Sequence, residues 1–124
     1  MKLVKQTQHD KLCGQCCVAM VLGISLHHAI ELVGHKNGTR SNDLIQAIKK
    51  ESTDYHPDFW RYSKRYTFKN EVAILMVRPL ADKDHRHWVV CNKGKILCPA
   101  TGRFKSIEEY LGNTWKITSV IFMN

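Results

Sequence analysis

The run Cys13-Gly14-Gln15-Cys16-Cys17-Val18-Ala19-Met20-Val21-Leu22 places apolar side chains at 13, 16, 17 and 20, with Val21 widening the stripe. That is the i, i+3, i+4, i+7 spacing of one helix face, so the stretch predicts a helix driven into the core. The rest of the chain must supply what it packs against. The first turn of such a helix concentrates unpaired backbone N–H groups and the positive end of the macrodipole, a setting that favours thiolate over thiol. Cys13 stands there and is the candidate nucleophile. The competing reading takes Cys13, Cys16 and Cys17 as small core hydrophobes, the usual fate of a free buried cysteine.

Around this helix the pattern divides the chain in two. Leu3 and Val4 predict a short strand or extended lead-in, followed by Gln6 and Gln8 just before the helix. Gly23 suits a helix C′ position, and Ser25 caps a second helix reaching Leu32 or Val33, closed by Gly34 and the turn His35-Lys36-Asn37-Gly38. Thr39 or Ser41 caps a third, with Leu44, Ile45 and Ile48 on its apolar side and Lys49 and Lys50 at its negative end. Glu51 to Asp58 is polar and interrupted by Pro57, hence a loop.

Beyond it the period changes. Trp60, Tyr62, Tyr66 and Phe68 fall on even positions and Arg61, Ser63, Arg65, Thr67 and Lys69 on odd ones, the alternation of a strand with one covered face. Val72 to Val77, His87 to Asn92, Ile96 to Cys98 and Trp115 to Met123 read as further strands, with Asn92-Lys93-Gly94 as a hairpin turn. Ser106-Ile107-Glu108-Glu109 is a capping box opening a short helix that stops before Gly112. Helices first and hairpins after predict an α+β fold, N-terminal helices packed on a mostly antiparallel sheet. With 124 residues and no repeat or linker, residues 1–124 form a single domain.

Charge and cysteine usage bound the function. Nineteen Lys+Arg against eleven Asp+Glu leave a net charge of +8, which attracts polyanions without selecting among them. Its local maximum, Arg61, Lys64, Arg65 and Lys69, is interleaved with aromatics, a pattern able to stack and steer single-stranded nucleic acid. The plainer reading is an amphipathic strand with aromatics inside and cations solvated. No stretch approaches the roughly 20 apolar residues of a spanning helix, and the N-terminus lacks a signal-peptide apolar run, so no membrane is expected and the mature chain is expected to start near Met1. Five cysteines, three of them crowded into about one helical turn, suit a reducing cytoplasm better than a disulfide scaffold.

A hydrolytic thiol needs a base, a group to orient it, and donors for an oxyanion. His87, opening the strand His87-Trp88-Val89-Val90, is the candidate base. Gln6 or Gln8 could donate its amide to the oxyanion alongside the Cys13 backbone N–H, and spacing does not choose between them. His9, His27, His28, His35 and His56 read as exposed polar residues.

A preceding Gln, the segment Cys13-Gly14-x-x-Cys17-Val18-Ala19-Met20, and later His87-Trp88-Val89-Val90 with a Gly turn and a residue before Pro99 resemble the papain-like fold in its C39-like peptidase form. The resemblance covers nearly the whole chain, including Gly34, the Gly38-Thr39-Arg40 turn and the strand near Trp115. It implies Cys13 as nucleophile, His87 as base and a preceding glutamine, Gln6 ahead of Gln8, as oxyanion donor. Papain's own Cys-Gly-x-Cys register would instead select Cys16, but Ala19-Met20 sets the C39-like register.

One position departs from the family. Its orienting carboxylate stands directly before the proline, where this chain has Cys98, and a neutral thiol is a weak acceptor. Three outcomes are open: a Cys–His dyad, a substitute orienter such as Asn92 or Asp84, or an inactive member kept for binding. Two other chemistries fit parts of the pattern. Cys13-Gly14-Gln15-Cys16 matches a thioredoxin-like redox pair, though no apolar strand precedes it. Cys13, Cys16 and Cys17 with His85 or Cys98 offer a zinc set without a second close pair of ligands. The expectation is a cytoplasmic, cofactor-free thiol hydrolase acting on an amide or isopeptide bond of a peptide or protein. The alternative is a catalytically silent module that binds a partner protein or nucleic acid through its basic surface.

Overall fold

Residues 73–75, 89–91 and 96–98 are buried in succession, which in strands requires a sheet covered on both faces. The computed structural model, which describes residues 1–7 and 10–124, has that arrangement. Four helices, α1 (Cys13–Leu22), α2 (Leu26–Val33), α3 (Ser41–Glu51) and α4 (Ile107–Leu111), accompany six strands among the described residues. The strands are β1 (Asp58–Arg61), β2 (Val72–Pro79), β3 (His87–Asn92), β4 (Lys95–Cys98), β5 (Gly102–Phe104) and β6 (Trp115–Phe122). Every pairing is antiparallel, in the order β1-β6-β2-β3-β4-β5. The class is α+β, as the sequence predicts.

On one face α1, α2 and α3 pack against Ile74, Trp88, Val90, Leu97 and Ile121. On the other, α4 and the aromatics Tyr62, Tyr66 and Phe68 cover Ala73, Leu75, Val77, Val89, Ile96 and Val120. A ten-residue helix with a glycine and β-branched residues would not persist alone in water, so burial holds α1 in place. Val18, fully buried on it, contributes roughly 1.5–3 kcal/mol by leaving water. Between β3 and β4, Lys93 (φ 52°) and Gly94 (φ 87°) both take the left-handed conformation that a two-residue hairpin turn demands.

Two local expectations, the strand over 60–69 and the cap of the third helix, are corrected, the lead-in alternative holds at the N-terminus, and one short strand is new. Leu3 and Val4 join no ladder; they lie partly buried against the helical layer, tied by a bond from Gln6 N–H to the Pro99 carbonyl (3.0 Å). The strand expected over 60–69 runs from Asp58 to Arg61 instead, starting inside the predicted loop. Beyond Arg61 the chain turns, yet Tyr66 and Phe68 still reach inward to pack on Phe122, at ring distances of 5.3 and 6.0 Å. Burial of rings, without a ladder, produced the alternation, and Trp60 is left 52% exposed. The third helix is preceded by neither predicted cap: Arg40 occupies the N-cap and donates its backbone N–H to Asp43 Oδ2 (2.9 Å). Strand β5, three residues long, carries too short a pattern to be read in advance.

Ser25 and Ser106 cap their helices as expected, each accepting a backbone N–H in the first turn. Among the described residues no single helix is long and apolar enough to cross a membrane.

Candidate functional site

The helix α1 packs against β3, and the first residues of the two elements, Cys13 and His87, line the same cavity of about 970 Å³. Cys98, ending β4, and Gln6, in the lead-in, line it as well. Segments remote in sequence converge there because the sheet sets β4 beside β3 and the Gln6–Pro99 hydrogen bond draws the N-terminus to the end of β4. Gln8 lies outside the described residues.

His87 is 8% exposed, and its Nε2 lies 3.2 Å from Cys98 Sγ. Burial works against a charged ring, but hydrogen bonding and charge from Cys13 and Cys98 outweigh it and push His87 up to about 9. Cys98 moves the opposite way. Burial works to raise its thiol, yet hydrogen bonds from His87 and Thr101 and the imidazolium charge bring it down to about 6. The two shifts run in opposite directions and together favour thiolate opposite imidazolium. Cys98 thus supplies against Nε2 the negative charge that a carboxylate carries, which the neutral-thiol reading of this position did not foresee.

Tyr110, on α4, places its hydroxyl 3.8 Å from Cys98 Sγ. Burial, and then the charge of Cys98, hold its phenol well above the ordinary tyrosine range, so it keeps its proton. Trp115 closes the other side, its ring 6.0 Å from the imidazole and stacked on Tyr110 at 6.1 Å. The capping box announces α4 but not which of its residues turns inward. Neither ring was a sequence candidate.

The remaining cysteines are chemically quiet. Burial pushes Cys16 up to about 12 and Cys91 up to about 11, and drives Cys17 well above its ordinary value. Cys16 is fully buried, which sets it aside as nucleophile and as redox partner of Cys13. All five thiols are free, Cys13 alone is not fully enclosed, and no metal-binding group of His, Cys, Asp or Glu exists among the described residues. The zinc set is not assembled.

Neither substitute orienter is in place. Asn92 ends β3 opposite Val72 and Lys95, five residues along the strand from His87. Asp84 is exposed on the cavity rim, and its one side-chain-mediated bond is from its own N–H to Asp82 Oδ1. Of the basic quartet, Arg61 ends β1 and lines a second cavity, whereas Lys64, Arg65 and Lys69 are exposed in the turns beyond it. His28 and His35 are half-buried rather than exposed, facing Glu51 at 3.2 Å and Asp43 at 3.9 Å.

Gln6 is half-buried; its Nε2 donates to the Asp10 carbonyl (3.3 Å) and its Oε1 is buried without a partner among the described residues. Asp10 organises this lead-in, accepting from the Thr7 N–H and hydroxyl and from Leu12 N–H at the helix start. Gly14 shapes a cavity wall: a Cβ there would collide with the Thr39 side chain, so glycine lets the 38–40 turn approach closely. The Thr39 carbonyl accepts from Trp88 Nε1 (3.3 Å), and fully buried Gln15 donates to the carbonyls of His35 and Asn37 (2.9 and 3.0 Å). A lone amide in an apolar stripe was the signal in the sequence for this tether. No protein-family model matches the chain, and no curated protein matches it closely.

Proposed function

We propose that the chain is a thiol hydrolase of the papain-like, C39-like type, cleaving an amide or isopeptide bond with Cys13 as nucleophile and His87 as acid–base. The observation that supports the reading is a buried imidazole, with Nε2 3.2 Å from Cys98, lining one cavity with Cys13, whose sulfur helps push the ring up. Nδ1, the nitrogen not engaged by Cys98, serves Cys13.

Cys13 adds to the substrate carbonyl as its thiolate, the thiol proton having left to solvent before attack, and the carbonyl π pair moves to oxygen. The Cys13 backbone N–H at the start of α1 and the Gln6 amide meet that oxyanion. As the tetrahedral species collapses, the C–N bond breaks and imidazolium gives its proton to the leaving amine, leaving a thioester on Cys13. His87 then takes a proton from water, whose oxygen attacks the thioester, and the carboxylic acid departs with Cys13 restored. Cys98 holds the ring in register and offsets its charge, the task a carboxylate performs in a triad.

Mass-spectrometric mapping of iodoacetamide modification at neutral pH tests the reading. Cys13 should react at least about tenfold faster in the native protein than in His87→Ala, as expected of a histidine-activated thiol. Hydrolysis of aminocoumarin peptides should disappear in Cys13→Ala. Equal rates at Cys13 with and without His87 would remove the mechanism.

A further inference from the structure

The second cavity, about 470 Å³, is lined by Arg61, Arg78, Lys83 and Arg86 and by no acidic side chain among the described residues. None of the four cations forms an ion pair among the described residues. Like charges gathered around one hollow repel one another, and a bound anion relieves that repulsion. The hollow is continuous with the catalytic cavity, since Phe59, Met76 and Arg86 line both.

The sheet register supplies the track between them. Arg61 pairs with Ser119, Ser119 with Met76, and Met76 with Trp88, next to His87. Directly paired residues share a face, so this row crosses β1, β6, β2 and β3 on one side of the sheet. Three strand spacings span about 14 Å, the reach of about four extended residues. The aromatic and thioether surfaces of Phe59, Met76 and Trp88 floor that path.

We infer that the cation-lined hollow is a specificity subsite of the thiol hydrolase, taking the carboxylates of an acidic peptide segment within about four residues of the bond cleaved at Cys13. The inference rests on the hydrolase reading, and the sequence did not foresee it. Arg78, Lys83 and Arg86 belong to β2 and the loop after it, outside the basic quartet that drew attention to Arg61.

Two affinity labels read the subsite directly: N-bromoacetyl-Gly-Glu-Glu-Glu amide and its Gln-Gln-Gln counterpart. Each alkylates Cys13 by displacement, the sulfur–carbon bond forming as bromide leaves. The acidic label should react at least about tenfold faster than the neutral one at low ionic strength. That ratio should fall to near one in Arg61→Glu/Arg78→Glu and in the milder Arg61→Gln/Lys83→Gln. It should persist in Lys95→Glu/Lys105→Glu, changed by the same charge near the opposite edge of the sheet. A ratio of one in the native protein, or equal loss in both charge-reversed variants, would overturn the subsite. So would stronger protection of Cys13 by oligothymidylate than by oligoglutamate of equal charge, which would assign the hollow to nucleic-acid phosphate. The iodoacetamide comparison with His87→Ala judges the catalytic reading separately, because that reagent carries no charge.

Discussion

Replacing Cys98 by alanine removes one of the two sulfurs that stabilise the His87 cation. His87 sits at about 9 instead of its ordinary 6.5, and that gap corresponds to about 3 kcal/mol in favour of imidazolium. Desolvation opposes the charge, so the sulfurs together supply more than this figure, and losing either should bring the ring down by at least one pH unit, roughly 1.4 kcal/mol. NMR titration of the imidazole nitrogens should show His87 near 9 in the native protein and in Cys98→Asp. In Cys98→Ala it should titrate at about 8 or lower. A midpoint unchanged in Cys98→Ala would refute the claim that the thiolate stabilises the ring.

Stability carries the same signature. The raised His87 contributes stability that is full below 6.5 and is lost as pH rises through about 9. The depressed Cys98 contributes stability present above 9.0 and lost as pH falls through about 6. Folding moves a proton from sulfur to nitrogen, so the two slopes offset, and the pair should leave the native melting temperature nearly flat between them. In Cys98→Ala only the His87 slope remains, and melting temperature should fall as pH rises from 6.5.

The remaining predictions follow from packing and hydrogen bonding. Gly14→Ala forces a Cβ toward Thr39 Oγ1 and should cost about 1–3 kcal/mol in urea denaturation, partly recovered when Thr39→Gly is added. Gln15→Leu abandons the His35 and Asn37 carbonyls; a loss of about 1–3 kcal/mol, with faster exchange of amides in the 35–40 turn, would show that the tether holds the cavity wall. Gln6→Ala should lower kcat by about a hundredfold or more on an aminocoumarin substrate while sparing iodoacetamide modification of Cys13. An unchanged kcat would remove Gln6 from the oxyanion site.

The fold class was legible because its signals are local. The Ser25 and Ser106 caps and the Lys93-Gly94 turn each act within a few residues, and the structure keeps them; the helix α1 forms as expected, but its residues 14–21 are buried all round rather than along one stripe. The Trp60 to Lys69 stretch misled because alternation reports which rings are buried and not what buries them. There Phe122, more than fifty residues away, receives the rings that a strand pattern promised to a ladder. At the site, Cys13, His87 and Gln6 were nameable from their neighbours in the sequence. The protonation state of Cys98 was not, since a thiol becomes a usable anion only through a contact between β3 and β4. Tyr110 and Trp115 had no sequence signal, being selected by the faces that α4 and β6 turn inward.

The strand synthesised last among the six is an interior one. β6 lies between β1 and β2, so Asp58–Arg61 has no sheet neighbour until Trp115–Phe122 is in position. Without β6, the meander of β2, β3 and β4 would have an open β2 edge, an invitation to foreign strands. The row through Ser119 and Met76, proposed above as a track for acidic peptide, is complete only once that gap is filled. Vectorial synthesis would thus delay substrate selection until the final insertion, and a nascent chain released early would carry the thiol without the means to choose its target.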